Sequence, residues 1–278
     1  MIDTHYHLDQ LDEAILEEML ASAKAGGVTA VVAPATGVSS AKRLLSIAKR
    51  YPQFVKIGFG MHPEHVAERC LQAATGSPDA AIIQEIEQEW QALKRLVHTH
   101  RQEICAIGEI GLPYYALPAD GRAPQDIPSV CFELFESQLL LAKQTGLPVI
   151  LHAVHQMALP CLWKLCEHQI EKAVFHWLKA PPETVAQIVE AGYFISFTPE
   201  TVYRERNQRI VMQVPLAHML LETDGPWPYD GPYQGNLTHP LWIREVAAVV
   251  ARLHGVSTDE VISITSANAA RFFQIGEE

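Results

Sequence analysis

Short apolar runs recur along this chain between longer segments whose apolar positions return at helical spacing. The runs predict strands near 1–5, 28–35, 56–61, 105–110, 147–152, 172–177, 193–198 and 219–224. Between them, Asp12 to Ala25 sets Ile15, Leu16, Met19, Leu20 and Ala23 on one side and ends at Gly26-Gly27, a helix stop. Ser39 or Ser40 is placed to cap a helix running to Arg50, which Pro52 follows. Ile82 to Arg101, Val130 to Gly146, Pro181 to Gly192, Leu241 to Gly255 and a last helix from Thr258 continue the alternation. Strands separated in this way by helices predict an α/β chain folded as a (β/α)8 TIM barrel rather than an open sheet. No Gly- or Ser-rich linker divides it, so residues 1–278 are expected to form one domain. Two polar, Pro-rich stretches, 113–129 and 225–238, follow predicted strands and are expected to rise over the carboxyl face of the barrel.

That face is where catalytic groups gather in such barrels, and six metal-friendly side chains close the apolar runs. His5 and His7 end the first, Glu109 the fourth, His152 the fifth, His176 the sixth and Asp224 the eighth. Side chains two apart on a strand share a face, so His5 and His7 point together. Imidazoles and carboxylates suit Zn or Mn, and Mg where oxygen dominates. Six ligands exceed the three of a mononuclear catalytic zinc site and suffice for two divalent metal ions per subunit. Glu109, with Gly108 and Gly111 permitting close approach, is the expected bridge. One ion is expected on His5, His7, Glu109 and Asp224, the other on Glu109, His152 and His176. Asp224 is placed to orient a metal-held water and accept its proton, which makes it, with Glu109, a catalytic candidate. Glu222, one layer deeper, either holds a ligand histidine in its tautomer or pairs with a barrel cation.

Composition narrows the partners. With 48% hydrophobic residues the chain has material for a large core, and a formal charge of −11 argues against loose adhesion to nucleic acid or anionic membranes. Five cysteines form no C-x-x-C pair and read as small buried hydrophobes in a reducing cytosol. No apolar run reaches the ~18 residues of a membrane helix and no basic stretch leads an apolar one at the N-terminus. A cytoplasmic protein without a membrane partner, monomeric or weakly oligomeric, is expected.

Several of these segments resemble the motifs of the TatD family of metal-dependent hydrolases, a branch of the amidohydrolase-like barrels. Asp3-Thr-His-Tyr-His-Leu-Asp9 is similar to the family's D-T-H-x-H-x-D, and Gly60-Met-His-Pro63 to its G-x-H-P. Ala106-Ile-Gly-Glu-Ile-Gly-Leu112, Leu147-Pro-Val-Ile-Leu-His152, Leu220-Leu-Glu-Thr-Asp224 and Asn268-Ala-Ala-Arg-Phe-Phe273 resemble the later motifs, in order, across nearly the whole chain. The resemblance implies that the same six residues ligate metals and that the activity is hydrolysis of DNA phosphodiesters, often from a 3′ end. Four places depart from the pattern: Pro113 stands where the family has Asp, Ala153-Val154-His155 follow His152, His176-Trp-Leu-Lys-Ala180 replaces H-C-F-S-G, and His62-Pro-Glu-His65 replaces H-P-H. The ligands are all present while the residues around the substrate differ.

His62 and His65, at the end of the third strand, are candidates for touching a phosphate or protonating a leaving group. Lys179 is a candidate for a lost phosphate contact. Arg204, in the basic cluster Tyr203-Arg-Glu-Arg-Asn-Gln-Arg209, is the preferred arginine for a forked phosphate contact, with Arg206 and Arg209 on a solvated helix face. Trp227, Tyr229 and Tyr233 either stack on a base or pack their loop. His98, His100, His168, His218 and His254 read as surface residues. Two functions follow: a phosphodiesterase or deoxyribonuclease acting on DNA or a nucleotide-like substrate, and a small-molecule ester, lactone or amide hydrolase on the same centre.

Overall fold

A computed structural model describes residues 1–71, 80–119 and 122–276, so residues 120 and 121 of the expected 113–129 stretch lie outside the described ones. The elements are, in order, β1 (Ile2–Asp3), α1 (Glu13–Ala25), β2 (Ala30–Pro34), α2 (Val38–Arg50), β3 (Val55–Phe59), α3 (Pro63–Leu71) and α4 (Ala80–Thr99). They continue with β4 (Ile104–Gly111), α5 (Ser129–Thr145), β5 (Val149–His152), α6 (Ala158–Glu167), β6 (Ala173–His176), α7 (Pro182–Glu190) and β7 (Phe194–Phe197). The chain ends with α8 (Glu200–Tyr203), α9 (Glu205–Val211), β8 (Met219–Leu221), α10 (Ile243–His254) and α11 (Thr258–Phe273).

The strands form one sheet in the order β1 to β8, and the pairs β1–β2, β3–β4, β4–β5, β5–β6 and β7–β8 are parallel. Beyond β1 the chain stays beside the end of β8. Thr4 N donates to Leu221 O at 3.1 Å, Asp224 N to His5 O at 2.8 Å and His7 N to Gly225 O at 2.7 Å. First and last strands are therefore neighbours, the closure expected of a (β/α)8 TIM barrel. Strands such as Val149–His152 and Ala173–His176 are buried throughout. Parallel strands covered on both faces need apolar residues at every position, and this is why they read as unbroken runs in the sequence.

By contact the chain divides into two compact units, residues 1–33, 44–56 and 181–278 in one, and residues 34–43 and 57–180 in the other. In the first, α11 is capped by Ser257 Oγ accepting from Glu260 N at 3.1 Å, and Asn268 Nδ2 donates to Leu216 O and Met219 O at 2.8 and 3.0 Å. The closing Asn motif thus pins the helix to the start of β8. In the second, Gln138 of α5 is buried and its Oε1 accepts from Met61 N at 2.7 Å, fixing the chain just before His62.

Three local expectations change. Ile15 is 40% exposed while Leu16, Met19, Leu20 and Ala23 are buried; at 100° per residue it lies about 90° from the centre of that stripe. α2 begins at Val38, so Ser39 and Ser40 sit inside its first turn, and Ser40 Oγ accepts from Thr36 N at 3.2 Å instead of capping from outside. Cys70, Cys131 and Cys161 are buried, but Cys105 is half-buried and Cys166 exposed. The short helices α3, α6 and α8 are absent from the periodicity reading; α6 fills the interval between β5 and β6, and α8 with α9 that between β7 and β8. No described helix is long and apolar enough to cross a membrane.

Candidate metal centre

In the first unit, β1 ends at Asp3, so His5 and His7 stand on the segment beyond it rather than within the strand. They nevertheless point together, their Nε2 atoms 3.3 Å apart. Asp224 Oδ1 lies 3.6 Å from His5 Nε2 and 3.5 Å from His7 Nε2. Donors about 2.0–2.1 Å from a tetrahedral ion are separated by roughly 3.4 Å, so this triangle fits one face of such a shell. Asp3 holds it in place: its carboxylate is fully buried and accepts from His5 N at 3.3 Å and from Thr223 N at 3.0 Å, with Thr223 Oγ1 as a further donor. Burial raises the Asp3 carboxyl well above its usual range, with the bonds from Thr223 and His5 opposing it. Asp224 adopts φ 48, a left-handed conformation uncommon outside glycine and best tolerated by Asn and Asp. Glu222 accepts from Ser196 Oγ at 2.6 Å.

In the second unit, Glu109 lies within β4, two residues before its end, and one of its oxygens is the meeting point of three imidazoles. Oε1 lies 2.8 Å from His176 Nε2, 2.9 Å from His152 Nδ1 and 3.3 Å from His62 Nε2. Gly111 makes the approach of β5 possible: a Cβ there, at φ 151, would fall 2.0 Å from His152 O. His62, read from sequence as a substrate contact, therefore stands in the ligand cluster, and His62, Glu109 and His152 form a group able to hold an ion. His62 Nδ1 accepts from Glu64 N at 3.3 Å, which directs Nε2–H at Glu109. Burial lowers the His62 pKa against the pull of Glu109. His65 is exposed, its ring 5.1 Å from that of His62.

The second nitrogen of His152 meets Glu64, the residue that separates the two imidazoles of His62-Pro-Glu-His65. His152 Nε2 lies 2.9 Å from Glu64 Oε1. Burial alone would lower His152; its bonds to Glu109 and Glu64 outweigh this and raise it. Burial would raise Glu64, but the His152 bond and charge and the amides of Ala116 and Tyr115 bring it down to about 2. The sequence signal for Glu64 was its place between two histidines, just after Pro63.

Around these ligands in the second unit stands an aromatic wall. Tyr114 faces the His155 ring at 4.4 Å, Lys179 Nζ donates to Tyr115 OH at 3.1 Å, and the same ammonium lies 4.1 Å from the Trp177 ring centre. His155 and Trp177 both hold positive φ, 54 and 39, a strained backbone of the kind found at ligand sites. Each of these residues except Tyr115 belongs to a departure from the family pattern or directly follows one. In the first unit, Arg204 is exposed and paired with Asp230 at 3.0 Å, Arg206 with Glu200 at 3.2 Å and Arg209 with Glu205 at 3.3 Å. Tyr229 and Tyr233 are buried in their loop, Tyr233 stacked on Trp242 at 4.3 Å, whereas Trp227 is exposed. His218 and His254 bond to the carbonyls of Tyr193 and Val211.

A parallel barrel with clustered imidazoles and carboxylates beyond its strands is the architecture of a metal-dependent hydrolase. The family model described as TatD related DNase matches residues 2–274, and the chain belongs to that family. A Haemophilus influenzae protein named an uncharacterized metal-dependent hydrolase is 29% identical over 99% of this chain and 100% of its own. The human protein named Deoxyribonuclease TATDN3 is 28% identical over 98% of this chain and 94% of its own. Among solved structures, the Escherichia coli TatD homologue YjjV is similar with a TM-score of 0.81 at 26% identity, covering 99% of this chain and 98% of that one. The protein is thus a metal-dependent hydrolase of the TatD family with a TIM-barrel fold.

Proposed function

We propose that the protein hydrolyses phosphodiester bonds in DNA or a nucleotide-like substrate with two divalent ions, held by His5, His7, Glu109, His152, His176 and Asp224, with Glu109 common to both. The observation that carries the reading is the donor geometry: a triangle of 3.3–3.6 Å sides in one unit, and three imidazoles on one oxygen of Glu109 in the other. The relatives named as deoxyribonucleases support the choice of bond. Divalent ions held by these residues would activate a water at neutral pH and polarise the ester. Asp224 accepts the proton of the attacking water at its carboxylate, and its imidazole neighbours keep that carboxylate oriented. His62 stands beside Glu109 and is read as reaching the phosphate from within that cluster; His65 and, in the first unit, Arg204 are read as further phosphate contacts. The test is cleavage of short single-stranded DNA with added Mg, Mn or Zn: wild-type protein cuts and His152→Ala does not. End-labelled strands read whether cutting starts at the 3′ end.

A second reading has a specific observation behind it. Lys179, which stands among the departures, is engaged by Trp177 and Tyr115, so that cation is already partnered by the protein. That arrangement favours a small, ring-bearing ester, lactone or amide. Turnover of such a substrate, with no DNA cleavage under any metal, would establish it over the first.

A further inference from the structure

Glu64, at the start of α3, gathers N–H donors from two separate elements. Oε1 accepts from His152 Nε2 at 2.9 Å, from Tyr114 N at 2.8 Å and from Tyr115 N at 3.0 Å, while Oε2 accepts from Ala116 N at 2.7 Å. Four donors converge on one buried side chain, and an ionised carboxylate, which only accepts, is the group that satisfies all of them. His152 is thereby held with its proton on Nε2, and Nδ1 is turned to Glu109.

We infer that Glu64 is a positioning residue that presents His152 Nδ1 to the metal and, through the same carboxylate, clamps the Tyr114–Ala116 segment that carries the aromatic wall. This rests on the reading of His152 as a metal ligand. A carboxylate on the far nitrogen of a ligating imidazole fixes its tautomer and strengthens its basicity. Here that carboxylate has a second task. The peptide groups it holds carry Tyr114, against His155, and Tyr115, whose hydroxyl accepts from Lys179. An ion held at Nδ1 would replace the proton there, and His152, so fixed, would fix Glu64 and the segment behind it. Metal loading and the setting of the wall become one event. Specificity is then tied to the state of the centre.

The test uses the whole protein stripped of metal and titrated with Co(II). Wild-type, Glu64→Gln and Glu64→Ala proteins are followed by the visible absorption of bound cobalt and by hydrogen exchange of the peptide covering 112–117. Gln keeps the shape but turns one acceptor into a donor facing N–H groups, so it serves if the Ala protein fails to fold. Expected in wild type are two equivalents bound and slower exchange at 112–117 on loading. In the variants the affinity of one ion falls roughly 10–100-fold, its spectrum shifts, and exchange at 112–117 is fast whether or not cobalt is present. Unchanged affinity and spectrum overturn the inference, including where the segment alone loosens, since Glu64 would then be a loop anchor only. Cobalt binding by none of the proteins overturns instead the metal reading on which it rests.

Discussion

Glu109 brings one carboxylate oxygen within 3.3 Å of three imidazole nitrogens, at almost complete burial. A buried charge is tolerated only with partners, and in the proposed centre, where Glu109 is read as common to two ions, it would contribute to each. Glu109→Ala is expected to empty the protein of both ions by elemental analysis; retention of one equivalent would contradict the shared role. Asp224→Asn keeps an oxygen for the metal but gives up the proton acceptor. It should hold metal and lose roughly 10²–10⁴-fold in kcat, whereas near wild-type turnover would remove Asp224 from that role. Glu64 supplies a pH signature. Its folded pKa of about 2 lies below the ordinary 4.5, so its stabilising effect is present above pH 4.5 and is lost as pH falls toward 2. The melting temperature of metal-stripped wild type should therefore converge on that of Glu64→Gln between those values, and a gap that stays constant would refute it. The clustered imidazoles and carboxylates proposed as ligands were visible in the sequence because each closes an apolar run. Glu64 was not, because its partners lie 50 to 88 positions away and no periodicity reports contacts at that range.

At the scale of elements, all eight strands were legible because burial on both faces demands unbroken apolar runs. Their ends were not: β1 stops at Asp3, yet His5 and His7 still converge through backbone bonds of the segment that follows. α3 escaped because it is short: Val66, Ala67 and Cys70 form a buried apolar stripe, but its length makes only about two and a half turns. The join of β1 to β8 depends on a close approach. A Cβ at Gly225 would stand 2.1 Å from Cε2 of the buried Tyr6 ring, whose hydroxyl is fixed on Thr238 O at 2.8 Å. Gly225→Ala is therefore expected to cost about 1–3 kcal/mol of stability, read as a lowered denaturation midpoint, and to weaken metal held by its neighbour Asp224. Wild-type stability in that variant would show that the ring has room to move.

Over the whole molecule, the charge of −11 and the pairing of Arg204, Arg206 and Arg209 with carboxylates leave little unspent basic surface along that cluster. Substrate binding is expected to engage few phosphates, so the log–log dependence of affinity on salt for single-stranded DNA should be shallower than about −3. A steeper slope would mean an extended cationic track. The family and the barrel were legible in the order of the motifs, while the aromatic wall was not, because Tyr114, His155 and Trp177 meet only after the loops of three strands are placed. One feature of the closure reaches back to how the protein is made. Asp3 binds Thr223 across 220 positions of chain. During synthesis, then, the two histidines precede their acidic partner by most of the described barrel, and the triangle of donors can close only after the strand leading to Asp224 has been made.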